Sequence, residues 1–200
     1  RVGQGDVFVS EVDESDGSIA LFTPEVAVLN NVSLDHKSLE ELRQLFGDFA
    51  RKAKVCVWNA DDTETAALVA PMTLAGAVSF GFSAEADFRA TDIVDLPLGS
   101  RFTLHALGEA YPVTLIVPGR HNISNALAAI ASSVALGVSI EQAVHSVERF
   151  CFTAGQMSHL GGNNLQASSF EAGVDLADDV FGNSVGLDDG EGAFDGHVFP

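Results

Sequence analysis

Short apolar runs alternate with helix-like stretches through the first eighty residues, and that alternation constrains the chain more than any other feature. "DVFVSEV" (6–12) is short, rich in β-branched residues and closed by polar ones, the pattern of a buried strand. "EVAVLNNV" (25–32) repeats it. "SLEELRQLFGDFARKA" (38–53) then carries Leu39, Leu42, Leu45, Phe46 and Phe49 at spacings of three and four, which predicts an amphipathic helix. Ser38 and Glu41 stand in capping-box positions at its start. A strand "KVCVWNA" (54–60), a short helix "DTETAALVA" and a strand "AVSFGF" (77–82) follow. A chain alternating in this way folds as a parallel sheet with crossover helices, an α/β domain of three layers.

From Ala86 the texture changes. "ADFRATDIVDL", "SRFTLHAL" and "YPVTLIV" are strand-like and joined only by "PLGS" and "GEA", which predicts a small antiparallel sheet over about 86–117. Helices return with "HNISNALAAIASSVALG" (121–137), stopped by Gly137, and "SIEQAVHSVERF" (139–150), opened by Ser139 with Gln142 in capping-box spacing. The division expected is therefore a folded domain over 1–154 and a tail over 155–200. All ten Lys and Arg lie at or before Arg149, whereas the tail holds nine Gly, eight Asp or Glu and no Lys or Arg. That composition is low-complexity, acidic and poorly suited to packing.

A net charge of −18 argues against nonspecific binding to nucleic acid, which needs clustered Lys and Arg. A nucleotide held through a cation stays compatible with it. No apolar run approaches a membrane span, and the N-terminal "RVGQGDVFVS" lacks the layout of a signal peptide. Cys56 and Cys151 have no metal spacing and form no disulfide framework, which fits a reducing, cytoplasmic setting. The chain starts at Arg1, almost inside a strand-like run, so a fragment lacking its upstream part is expected.

Three stretches carry chemistry, each where a strand ends or a helix begins, the edge at which open α/β sheets collect ligands. "VSEVDESDGS" puts Glu11, Asp13, Glu14 and Asp16 into six positions, which suits either a solvated loop or a hard-cation site. "NNVSLDHKS" sets Asn31, Asp35 and His36 after the second strand, where a lone His is either a hydrogen-bonder or a ligand. In "VPGRHNISNALAAIA", Asn122 and Asn125 are three apart, which places them on one exposed face of the helix start. Their amides suit reading an adenine edge or capping the helix.

In this order, "EVDESDGS", "VAVLNNVSLDH", "VCVWNADD" and "VPGRHNISNALAAIA" resemble the central domain of the Mur ligases. Those are the ATP-dependent amide-forming enzymes of peptidoglycan precursor synthesis. The "DESD" form resembles the branch joining L-alanine to UDP-N-acetylmuramate. The resemblance runs from about residue 6 to Phe150 and implies the family's mostly parallel three-layer sheet with a small antiparallel subsheet. It also implies Glu11 and His36 as Mg²⁺ ligands, close together at one sheet edge, with His121, Asn122 and Asn125 at the ATP. Nucleotide and UDP-sugar would be the partners of the intact family member, with no nucleic acid and no membrane. The family's Gly-rich G-K-[ST] phosphate loop is absent from these 200 residues, and Gln156 and Met157 stand where its later Arg is expected. A chain of this kind is expected to have little or no ligase activity alone, and the competing reading is an inactive remnant acting at most as a weak Mg²⁺ or nucleotide binder or as an interaction domain.

Overall fold

The computed structural model describes residues 7–12, 15, 17–32 and 38–150. The tail, with Cys151, and the 33–37 stretch holding Asp35 and His36 lie outside the described residues, as do Asp13, Glu14 and Asp16.

Six strands form one sheet in chain order: β1 (Val26–Leu29), β2 (Val55–Asn59), β3 (Ala77–Gly81), β4 (Phe88–Leu96), β5 (Gly99–Ala106) and β6 (Glu109–Leu115). The pairs from β1 to β4 are parallel, and β4–β5 and β5–β6 are antiparallel. The antiparallel run expected over 86–117 is present, but it continues the main sheet through Phe80↔Phe88 and Gly81↔Arg89, the only residue pairs joining β3 to β4. The β5–β6 turn has two residues, Leu107 and Gly108, with φ of 55° and 83°. Positive φ at both central positions matches the right-handed strand twist.

Side-chain alternation builds the layers. Val26 and Val28 of β1 and Val55 and Val57 of β2 face one core, with α3 (Arg120–Ala135) and α4 (Ile140–Arg149). Ala27, Leu29, Cys56 and Trp58 face the other, against α1 (Leu39–Lys52) and α2 (Thr63–Val69). Strands covered on both faces need apolar residues at every position, which is why "VAVL" and "VCVW" read as continuous runs. The far strands are covered on one face only: Phe102, Leu104, Val113 and Leu115 are buried, whereas Arg101 and Thr114 are exposed.

Helix ends follow the sequence closely. Ser38 Oγ accepts from Glu41 N–H, and Glu41 Oε2 accepts from Ser38 N–H at 3.0 Å, completing the capping box of α1. Past α3, Gly137 (φ 89°) donates to Val134 O and Val138 to Ser133 O, the paired bonds of a Schellman stop.

One expectation fails. Residues 7–12 form no strand; they run beside the open edge of β1 with Phe8 74% exposed. β-Branched composition supplies propensity, but a strand exists only where a neighbouring strand pairs with it, and residues 7–12 pair with none of the six described strands. No described helix is long and apolar enough to cross a membrane.

Candidate functional site

The carboxyl ends of β2 and β3 are tied together by one side chain. After β2, Asn59 Oδ1 accepts from Asp61 N–H at 3.0 Å and turns the chain. The Asp61 carboxylate then reaches across to the end of β3, accepting from Phe82 N–H at 2.6 Å and Ser83 N–H at 3.0 Å. Gly81 makes that approach possible, because a Cβ there would stand 2.6 Å from Asp61 Oδ2. The adjoining Asp62 caps α2 by accepting from Thr65 N–H at 2.8 Å and also accepts from Val32 N–H at 3.2 Å, tying in the segment after β1. Asn30 Oδ1 after β1 and Ser83 Oγ after β3 are buried with no hydrogen-bond partner among the described residues.

α3 begins over this edge. The Arg120 guanidinium carbon lies 3.8 Å from the centroid of the Phe82 ring. The exposed His121 folds its ring back over Gly119, where a Cβ would meet Cε1 at 2.6 Å. Desolvation of the ring against that turn lowers its pKa from the ordinary 6.5.

Asn122 corrects an expectation. It is buried rather than on an exposed face, and its Nδ2 donates to Pro118 O at 2.7 Å. The cause is local. Asn122 N–H bonds to Gly119 O at 3.1 Å, so the side-chain amide supplies the donor that Pro118 O would otherwise take from the helix backbone. Asn125 is half-buried and has no hydrogen bond through its side chain among the described residues.

Glu11 lies elsewhere. It is 6% exposed and lines a cavity of about 430 Å³ along the outer edge of β1. Val26, Val28 and Leu29 of β1, Phe46 and Phe49 of α1, and Ser132 and Leu136 of α3 line it as well. The cavity thus opens between the two helix layers. No group of three or more His, Cys, Asp or Glu able to hold a metal occurs among the described residues. A single buried carboxylate suits Mg²⁺, which keeps several waters and takes phosphate oxygens, better than it suits a metal caged by protein alone.

Sequence reasoning named His121, Asn122 and Asn125, which the structure gathers at one helix start, but gave no role to Asp61, Gly81, Phe82 or Arg120. The signal was present in "NADD" and "GF", each directly after a strand.

Residues 2–133 match the Mur ligase middle domain. The chain is 38% identical over 155 residues to the UDP-N-acetylmuramate–L-alanine ligase of Geobacter sp., covering 70% of this chain and 32% of that protein. It is 37% identical over 173 residues to the enzyme of the same name from Xanthomonas campestris pv. campestris, covering 80% and 35%. Among solved structures, the UDP-N-acetylmuramate-alanine ligase of Thermotoga maritima superposes with a TM-score of 0.60 at 28% identity, covering 70% of this chain and 32% of that one. The chain spans about a third of the length of the curated relatives it matches.

Proposed function

The chain belongs to the Mur ligase family, which it matches through the middle domain, and from that premise we propose that it is the ATP-binding part of a ligase joining L-alanine to UDP-N-acetylmuramate. The observation carrying the reading is the identity of 37–38% to two ligases of that name, over 70% and 80% of the chain. ATP and the UDP-sugar are substrates in this reading, Mg²⁺ is the bound ion, and the setting is cytoplasmic.

The start of α3 is the nucleotide end. A helix N-terminus presents free N–H groups and the positive end of its dipole. Beside it, His121 is held toward its neutral form and can both donate and accept. Asn125 offers a half-buried amide for a base edge. Asn122 holds the turn itself, through Pro118. Glu11 would hold Mg²⁺ together with His36, and the ion would neutralise phosphate charge as the acyl phosphate forms.

The 200 residues contain no Gly-Lys-Ser/Thr sequence. That observation favours a second reading, in which this chain alone binds Mg-ATP weakly and catalyses nothing. A chimera separates the two. Residues 2–150 replace the aligned part of the Geobacter ligase, and ATP- and alanine-dependent phosphate release is measured. Activity within tenfold of the parent supports the ligase reading. A folded chimera that releases no phosphate refutes it. Phosphate release by the 200-residue chain itself, abolished in Glu11→Ala, would refute the second.

A further inference from the structure

We propose that Asp61 is a positioning residue of the nucleotide site, holding the first turn of α3 through Phe82 and Arg120. The inference rests on the reading above, because it takes α3's start as the nucleotide end.

Three observations carry it. Asp61 follows β2, yet its carboxylate accepts the N–H groups of residues 82 and 83, which follow β3, at 2.6 and 3.0 Å. The chain keeps glycine at position 81, where any Cβ would push that carboxylate out. The backbone so fixed carries the Phe82 ring, and Arg120, the first residue of α3, packs its guanidinium 3.8 Å above it.

The electrostatics give this stack a purpose. A cation in the first turn of a helix sits against the positive end of the dipole, which is the unfavourable end for it. The negative face of an aromatic ring compensates and fixes the direction in which the guanidinium points. Without the ring, Arg120 has no counterpart among the described residues, and the turn carrying His121, Asn122 and Asn125 loses its anchor to the sheet edge. Asp61 therefore acts on the site through Phe82 and Arg120, as a positioning residue.

The test uses the full chain with Asp61→Ala, Asp61→Asn and Phe82→Leu. Mg-ATP affinity and amide hydrogen exchange are measured on each. Asn122 and Ile123 donate to Gly119 O at 3.1 and 3.4 Å, so both amides report on the first turn. Asp61→Ala should weaken Mg-ATP about tenfold and speed exchange at 122 and 123 by a similar factor, with Asp61→Asn recovering part of both. Phe82→Leu keeps the clasped backbone and should reproduce the affinity loss, so the inference stays testable even where Asp61→Ala unfolds. Unchanged exchange at 122 and 123 in Asp61→Ala overturns the inference whatever ATP does. Faster exchange with unchanged affinity overturns it too. An unsubstituted chain that binds no Mg-ATP refutes the nucleotide reading separately, while exchange still judges the tie between Asp61 and α3.

Discussion

Leu104→Ala tests whether six strands joined by so narrow a bridge unfold as one unit. Leu104 is fully buried in the middle strand of the antiparallel run, in the core under α3 and α4. Removing its isopropyl group, three carbons beyond Cβ, forfeits roughly 2–2.5 kcal/mol of transfer free energy, at about 0.8 kcal/mol per methylene. Incomplete collapse of the cavity brings the cost to about 3–4 kcal/mol, inside the range found for buried Leu→Ala. The chain has one tryptophan, Trp58, and it sits on β2 at the other end of the sheet, in the opposite core. Its fluorescence therefore reports on the parallel half only. With a urea slope of about 2 kcal/mol/M, a cooperative sheet moves the Trp58 midpoint down by about 1.5–2 M, and circular dichroism moves with it. Only Phe80↔Phe88 and Gly81↔Arg89 join the halves in the ladder, but α3 packs against both, and Val57, Phe80, Leu104 and Leu127 share one core. Thr103→Ala, one residue away on the half-exposed opposite face, should shift the midpoint by less than about 0.5 M. A Trp58 midpoint that stays in place while circular dichroism splits into two steps would refute the single-unit reasoning.

Asn122→Ala leaves Pro118 O without its side-chain donor and should cost about 1–3 kcal/mol in denaturant unfolding, whereas Asn125→Ala should stay near 0.5 kcal/mol. The thiol of Cys56 is buried and its pKa pushed up to about 12, so it should resist alkylation at pH 8 until urea is added, as peptide mass mapping will show. His121 has a folded pKa below its ordinary 6.5, so its stabilising contribution is present above pH 6.5 and lost as pH falls through the lowered value; an NMR titration midpoint at or above 6.5 would contradict this. Because the chain carries a net charge of −18, ATP binding should depend on a divalent cation, and EDTA should abolish the calorimetric signal seen with Mg²⁺.

The sequence was most informative where local chemistry decides the structure. Ser38 and Glu41 announce the start of α1 because the capping box is made entirely within four residues. Gly137 announces the end of α3 because only the backbone conformation at that position is at stake. The six described strands were legible because apolar period and turn residues agree in them. Partnership was not legible. "DVFVSEV" has the composition of a strand, but whether a neighbour accepts its hydrogen bonds is a property of the whole sheet. Asn122 and Asn125 illustrate the same limit on a helix: spacing puts them near one another, and packing against Pro118 decides that the first turns inward. Asp61 was missed for a related reason, since its partners lie 21 and 22 residues away and no local pattern connects them.

The layering accounts for the position of the cavity. The crossovers through α1 and α2 set both helices on one face, and α3 and α4 reach the other face only after β6. The described strands run in chain order without a reversal, so no two described neighbours send their helices to opposite faces at their carboxyl ends. That divergence is what opens a ligand crevice in doubly wound sheets. Past the outer edge of β1, helices of opposite layers come together around a cavity, where α1 and α3 both line the space holding Glu11. A free carboxylate would be costly among Val, Leu and Phe, and Glu11 is accordingly held there with an interaction partner. The topology therefore sets this cavity, and Glu11 with it, at the outer edge of β1, apart from the clasp of Asp61, Phe82 and Arg120.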